Sequence, residues 1–192
     1  MRSVFDTFLY GFGYDSSTDD YLVVKASYSP ISCYNATTRF EFLSLRANAW
    51  TDIEAVHLSY KNSSQDIGVG LFLNGAIHWL AFCCDVSMDV VLVFDLTERS
   101  FSEIALPVDF SEDDNDFDSC NIIGVLGELL SISAVGWKYS VEIWVMKEYK
   151  VQSSWTKTIV VYSENIIFFP VCSTKGGDIV GTYDSVIELG KM

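Results

Sequence analysis

Three aromatic residues recur at a near-constant interval, with Trp50, Phe101 and Trp155 standing 51 and 54 residues apart. Each closes the same local pattern: an apolar strand, a polar loop of about four to eight residues, then the aromatic that opens a second strand. The apolar strands read Phe42-Leu43-Ser44-Leu45, Val91-Leu92-Val93-Phe94 and Ile143-Trp144-Val145-Met146. A second hairpin precedes each unit. Its turn is Leu73-Asn74-Gly75-Ala76 in one copy and Leu126-Gly127-Glu128-Leu129 in the next, with Gly75 and Gly127 again 52 residues apart. Asn-Gly supplies the positive φ angles of a type I′ turn, so Gly68 to Leu73 and Ala76 to Phe82 are expected to pair as antiparallel neighbours. Upstream, Tyr10 to Tyr14 and Tyr21 to Tyr28 flank Asp15-Ser16-Ser17-Thr18-Asp19-Asp20, whose side chains can bond local amides and hold a turn. Each unit therefore has four strands, and a period near 50 is that of a propeller blade.

The expected fold is all-β, a kelch-like β-propeller of four-stranded blades near residues 10–56, 69–106 and 121–162, with a partial blade at 166–189. Three blades and a fraction are too few to close a ring. Val186-Ile187-Glu188-Leu189 reads as the opening of a further strand, so the chain is expected to be an incomplete propeller whose unpaired edges invite association. The blade anchors expected to pack between sheets are Trp50, Gly75, Trp79, Phe101, Gly127, Trp144 and Trp155. No helix competes: the best stretch, Ile143 to Val151, carries two aromatics and lacks a capping box.

Composition agrees with sheet and narrows the partners. Apolar residues make up 49% of the chain and aromatics 15%, with 3 prolines, enough to bury a core. A formal net charge of −14 repels a phosphate backbone or an anionic membrane surface, so neither nucleic acid nor membrane is an expected partner. Five scattered cysteines, among them the adjacent Cys83-Cys84, fit buried thiols in a reducing compartment and match no zinc spacing. With no apolar leader or spanning run, the chain reads as soluble and intracellular, in cytoplasm or nucleus.

No catalytic constellation emerges. His57 and His78 are the two histidines, and His78 lies in the apolar strand Ala76-Ile77-His78-Trp79-Leu80, where a satisfied, half-buried ring is expected. Gly11-Phe12-Gly13 has no following helix to present amides to a phosphate, and no nucleophile elbow, Walker loop or metal motif occurs. No cofactor, metal or catalytic residue is assigned. The acidic run containing Asp113, Asp114 and Asp116 lacks a calcium-loop pattern and reads as a solvated loop, with a partner-binding loop for a basic protein as its functional alternative.

Several segments together resemble the F-box-associated domain of plant F-box and F-box/kelch proteins. They are Gly11-Phe12-Gly13-Tyr14-Asp15, Asp19 to Lys25, Phe42 to Trp50, Leu73 to Leu80, Phe94-Asp95-Leu96-Thr97, Leu106-Pro107, Ile143 to Tyr149 and Ser154 to Lys157. The resemblance implies a propeller whose exposed loops capture a protein substrate for a cullin-RING ubiquitin ligase. It also implies a Skp-type adaptor as partner where an F-box lies upstream; no such helical segment is recognised here. The function expected is substrate recognition by a truncated F-box protein, not enzymatic turnover. The alternatives are a free-standing kelch-like scaffold without ligase recruitment and a carbohydrate-active propeller, which would need convergent carboxylates.

Overall fold

The computed structural model describes residues 6–28, 38–53, 59–62, 68–108, 110, 120–135, 140–162, 169–173, 179–183 and 186–190. These form two compact units, Met1–Ala105 and Leu106–Met192. Among the described residues every regular element is a strand except one 3-10 turn, Gln152–Ser154.

The first unit contains two sheets. The first sheet joins β1 (Asp6–Asp15), β2 (Asp20–Tyr28), β3 (Arg39–Ser44) and β4 (Ala49–Ile53) as an antiparallel meander in the order β4-β3-β2-β1. Strand alternation sorts its side chains. Leu9, Gly11, Gly13 and Asp15 of β1 are buried, whereas Tyr10, Phe12 and Tyr14 are exposed. Register carries this division across the sheet: Leu22, Val24 and Ala26 pair with Gly13, Gly11 and Leu9 and share their buried face.

The second sheet is built on β8 (Ala76–Cys83) and β9 (Met88–Asp95), flanked by β10 (Ser100–Ala105) on one side and by the short β5 (Tyr60–Asn62) and β7 (Leu71–Leu73) on the other. Ala76 through Ala81 are buried without a break, which is why that stretch reads as a continuous apolar run. Ile77, Trp79 and Ala81 of β8, with Leu92 and Phe94 of β9, meet Leu9, Leu22, Val24 and Phe40 of the first sheet in one core.

The Asn74-Gly75 hairpin forms as expected. Both residues have positive φ, 50° and 74°, and Leu73 pairs with Ala76. Gly68 and Val69 do not join it. They form β6 (Gly68–Val69), which runs parallel to β1 opposite Leu9 and Tyr10. The expected run breaks at Gly70, whose amide donates to the Tyr10 carbonyl at 2.5 Å while the Trp79 ring presses against its α-carbon; a Cβ there would lie 2.4 Å from Trp79 Nε1. Only a residue without a side chain passes that point.

In the second unit, β11 (Cys120–Leu126), β12 (Leu129–Val135), β13 (Ser140–Met146) and β14 (Trp155–Tyr162) form a four-stranded antiparallel sheet, and β15 (Phe169–Ser173), β16 (Ile179–Tyr183) and β17 (Val186–Gly190) form a three-stranded one. Gly127 and Glu128 carry φ of 57° and 66° in the two-residue turn between Leu126 and Leu129. Trp144 and Trp155 are buried, and the Lys157 ammonium lies 4.9 Å from the centre of the Trp144 ring.

Trp50 departs from expectation. It is 48% exposed and packs in no core. Its register with Leu43 places it on the face of the first sheet that looks away from the second, so the aromatics meeting the core from this sheet are Phe40 and Phe42. Phe101 does reach that core, with ring centroids 4.2 Å from Phe40 and 4.8 Å from Phe94. The three periodic aromatics therefore have unequal energetic roles. Trp155→Ala should cost about 3–5 kcal/mol, as for deletion of a buried aromatic, while Trp50→Ala should stay within about 1 kcal/mol. Urea midpoints of the two variants, measured side by side, check this ordering.

Candidate protein-interaction surface

Four turns gather at one end of the first unit: Ser16–Asp19, Leu45–Asn48, Asn74-Gly75 and Leu96–Arg99. In three of them the residue before the turn is a hydrogen-bond acceptor that holds it. Asp15 Oδ1 accepts from the Ser17 amide at 2.9 Å, Ser44 Oγ from the Ala47 amide at 2.9 Å, and Asp95 Oδ1 from the amides of Thr97 and Glu98 at 2.9 Å each. The last residue of each of these turns, Asp19, Asn48 and Arg99, has positive φ near 50°.

Asp15 does more than close its own turn. Its buried carboxylate accepts from Ser17 Oγ and Thr18 Oγ1 at 2.7 Å each, and from Arg99 Nη2 of the second sheet at 2.7 Å. The Arg99 guanidinium lies 5.0 Å from the centre of the Phe42 ring, so cation and anion are both shielded. Burial alone would push the Asp15 carboxyl up, but the bonds from Ser17, Thr18 and Arg99 outweigh it and hold the group well below the usual carboxylate range. One charge pair thus locks the turn end of one sheet to that of the next.

A second network joins neighbouring turns within the first sheet. Asp20 accepts from Ser44 Oγ at 2.5 Å and from the Arg46 amide at 2.9 Å, and the Ser44 bond leads in keeping its carboxyl below the usual range. Asp19 accepts from Tyr14 Oη and Arg46 Nη2, each at 2.7 Å; its pKa is lowered, first by Tyr14 and then by Arg46, and that of Tyr14 is raised by the same bond. These acids are committed to donors. The result is a polar rim of fixed geometry carrying Ser16, Thr18, Asp19, Arg46, Asn48 and Glu98.

Beside this rim lies the outward face of the first sheet, where Tyr10, Phe12, Tyr14, Tyr21 and Trp50 are all exposed. Phe12 and Tyr21 stack with centroids 5.5 Å apart and planes within 1°, and Tyr14 meets Tyr21 at 5.1 Å. Lys25 Nζ stands 4.3 Å from the centre of the Trp50 ring and 3.2 Å from Glu41.

Trp79, Trp144 and Trp155 are buried, Phe101 is partly so, Gly75 and Gly127 sit in two-residue turns, and Trp50 stands on the exposed face. Asp113, Asp114 and Asp116 lie outside the described residues, as does His57. His78 is fully buried rather than half-buried, with Nδ1 3.2 Å from the Leu71 carbonyl oxygen. Among the described residues, no three His, Cys, Asp or Glu side chains converge as a metal site would require, and no helix is long and apolar enough to cross a membrane. Sequence alone gives Asp15 a place in its own turn, but its pairing with Arg99, 84 residues away, has no local signal, because neither residue falls in a motif that names the other.

Comparison with known proteins adds a family signal. The family model described as "F-box associated beta propeller domain" matches residues 2–183. "F-box protein CPR1" of Arabidopsis thaliana is 29% identical over 172 residues, spanning 79% of this chain and 40% of that protein. "F-box/kelch-repeat protein At3g23880" of the same plant is 26% identical over 162 residues, spanning 79% of this chain and 39% of that protein. The chain thus spans about two fifths of the length of these curated relatives.

The Asp15 lock generates a pH signature. A carboxyl depressed in the folded state contributes stability that is complete above its unfolded pKa and is lost as pH falls towards its folded value. Asp15→Asn should therefore cost about 1.5–3 kcal/mol at neutral pH. The gap to wild type should narrow as pH drops below about 4. Denaturant titrations of both proteins between neutral and strongly acidic pH check the convergence.

Proposed function

The chain belongs to the F-box associated β-propeller family, and from that premise we propose that it is a protein-binding module which recognises the substrate of an SCF-type ubiquitin ligase. The observation that carries this reading is the family match over residues 2–183, since F-box associated domains form the substrate-binding parts of F-box proteins. The surface chemistry supports it. A rim of turns fixed by the Asp15–Arg99 pair and by side-chain hydrogen bonds, beside exposed aromatic rings, has the polar contacts and anchors by which protein partners are recognised.

In this reading the blades near 10–56, 69–106 and 121–162, with the partial blade at 166–189, are a scaffold. The turn end and the acidic loop of Asp113, Asp114 and Asp116 are the contact elements, and a basic patch on the partner suits that loop. Adaptor recruitment falls to an F-box, whereas residues 2–183 match the associated domain. The module performs no turnover of its own and works inside the cell, in cytoplasm or nucleus.

The test is reconstitution. The 192-residue chain should capture a protein partner but not a Skp-type adaptor. The same chain fused behind an F-box should bind the adaptor, and the captured partner should become ubiquitinated when cullin and RING subunits are added. Capture without ubiquitination in the assembled complex would favour a free-standing scaffold. Adaptor binding by the unfused chain would contradict the division of labour.

A further inference from the structure

We propose that Asn74 is a site of spontaneous deamidation, and that its isoaspartyl product unties the Asn74-Gly75 turn from the neighbouring turn Leu96–Arg99. Of the chain's asparagines, Asn74 alone is followed by glycine. Both residues are exposed and both have positive φ. Nothing beyond its chain neighbours lies within 4 Å of where a Gly75 Cβ would stand, so the reacting groups are open to water. The Gly75 amide has no hydrogen-bond partner among the described residues. Asn48 is the built-in comparison. It too is exposed in a turn at φ 49°, but Ala49 follows it, carries a Cβ, and pairs with Ser44 as the first residue of β4. The exposure of Asn74 and Gly75 belongs to a turn at strand ends, not to a sheet face on which a neighbouring blade packs.

The chemistry needs water and nothing else. The Gly75 amide gives its proton to solvent, and its nitrogen bonds to Asn74 Cγ. The Cγ–Nδ2 bond breaks, and ammonia leaves with a proton taken from solvent, closing a succinimide ring. Water then opens the ring at one of two carbonyls. Addition at Cγ gives aspartate, whereas addition at the Asn74 main-chain carbonyl leaves Gly75 linked through Cγ, an isoaspartate. Either product replaces a neutral amide by a carboxylate, but the second also adds a methylene to the main chain of a two-residue turn. The surroundings fix the span of that turn: Leu73 pairs with Ala76, Ala76 pairs with Asp95, and Ala76 to Ala81 are buried. β8 cannot shift to take up the extra length, so the turn itself must buckle. The bond at stake is the one the Leu96 amide donates to the Gly75 carbonyl at 3.1 Å. It joins this hairpin to the turn whose last residue, Arg99, holds Asp15.

The inference does not rest on ligase recruitment, and its test is separate. The unaltered 192-residue chain is aged at mildly alkaline pH and physiological temperature. Peptide mass mapping should show Asn74 converted, mostly to isoaspartate, while Asn48 remains an amide. Methyl transfer from S-adenosylmethionine by a protein-isoaspartate methyltransferase counts the isoaspartate. The aged form, separated by its extra negative charge, should exchange the Leu96 amide hydrogen about tenfold faster than fresh protein, or more. Freshly purified Asn74→Asp carries the same charge without the extra methylene, and should keep the protection of the unaltered chain. Persistence of the Asn74 amide, or its conversion no faster than that of Asn48, overturns the site. Leu96 exchange as slow in the isoaspartyl form as in fresh protein overturns the effect on the turn. So does exchange in Asn74→Asp as fast as in the isoaspartyl form, since charge alone would then explain it.

Discussion

The first unit depends on the close approach of β1 to β8, which glycine permits. Gly11 and Gly13 turn their missing side chains towards the second sheet, and a Cβ on Gly11 would lie 2.4 Å from Ile77 Cγ2 and 2.7 Å from the Trp79 ring. That vacancy lets the Trp79 indole lie across β1 and donate from Nε1 to the Tyr10 carbonyl at 2.6 Å, the same oxygen that accepts from Gly70. A carbonyl with two lone pairs thus joins β1, β8 and the Gly70 link between β6 and β7 at one atom. At the end of β1, Asp15 and Arg99 repeat the linkage with charge. The sheets are held by a row of contacts along one strand, and the turns at its end inherit that rigidity.

This arrangement gives the first sheet two unlike faces. The inner one alternates glycine with aliphatic residues because it must receive large side chains from β8; the outer one carries the rings of β1 and β2. Recognition by loops needs a scaffold that does not yield when a partner binds, since ordering flexible segments costs affinity. The Asp15–Arg99 pair and the Asp20–Ser44–Arg46 network meet part of that cost in the free protein. On the proposed reading, these networks hold the turns of the first unit in place before a partner arrives.

Much of the fold was legible because it is local. Asn74-Gly75 and Gly127-Glu128 occupy two-residue hairpins, and the polar run Asp15 to Asp20 closes its turn through the Asp15 side chain. The remainder was set by parity and by distance in sequence. Trp50 keeps the blade period, yet the register of β4 against β3 puts it on the open face, and a period of about 50 residues cannot resolve a shift of one. Gly68-Val69 looked like part of a hairpin strand, but the hydrogen bond from Gly70 to Tyr10, a contact across some sixty residues, pulls it alongside β1. Asp15 and Arg99 each resemble ordinary turn residues until the two sheets meet. The acidic loop, expected to face a partner, falls outside the described residues.

The interlock of glycine with Ile77 and Trp79 is best tested by a double-mutant cycle on Gly11→Ala and Ile77→Ala, read as unfolding free energies. If the close approach is real, Gly11→Ala costs about 1–3 kcal/mol in the wild-type background. It should cost at least about 1 kcal/mol less once Ile77→Ala has removed the Cγ2 methyl that meets it. Costs that simply add, within about 0.5 kcal/mol, would mean that the two positions do not touch and that another contact holds the sheets together.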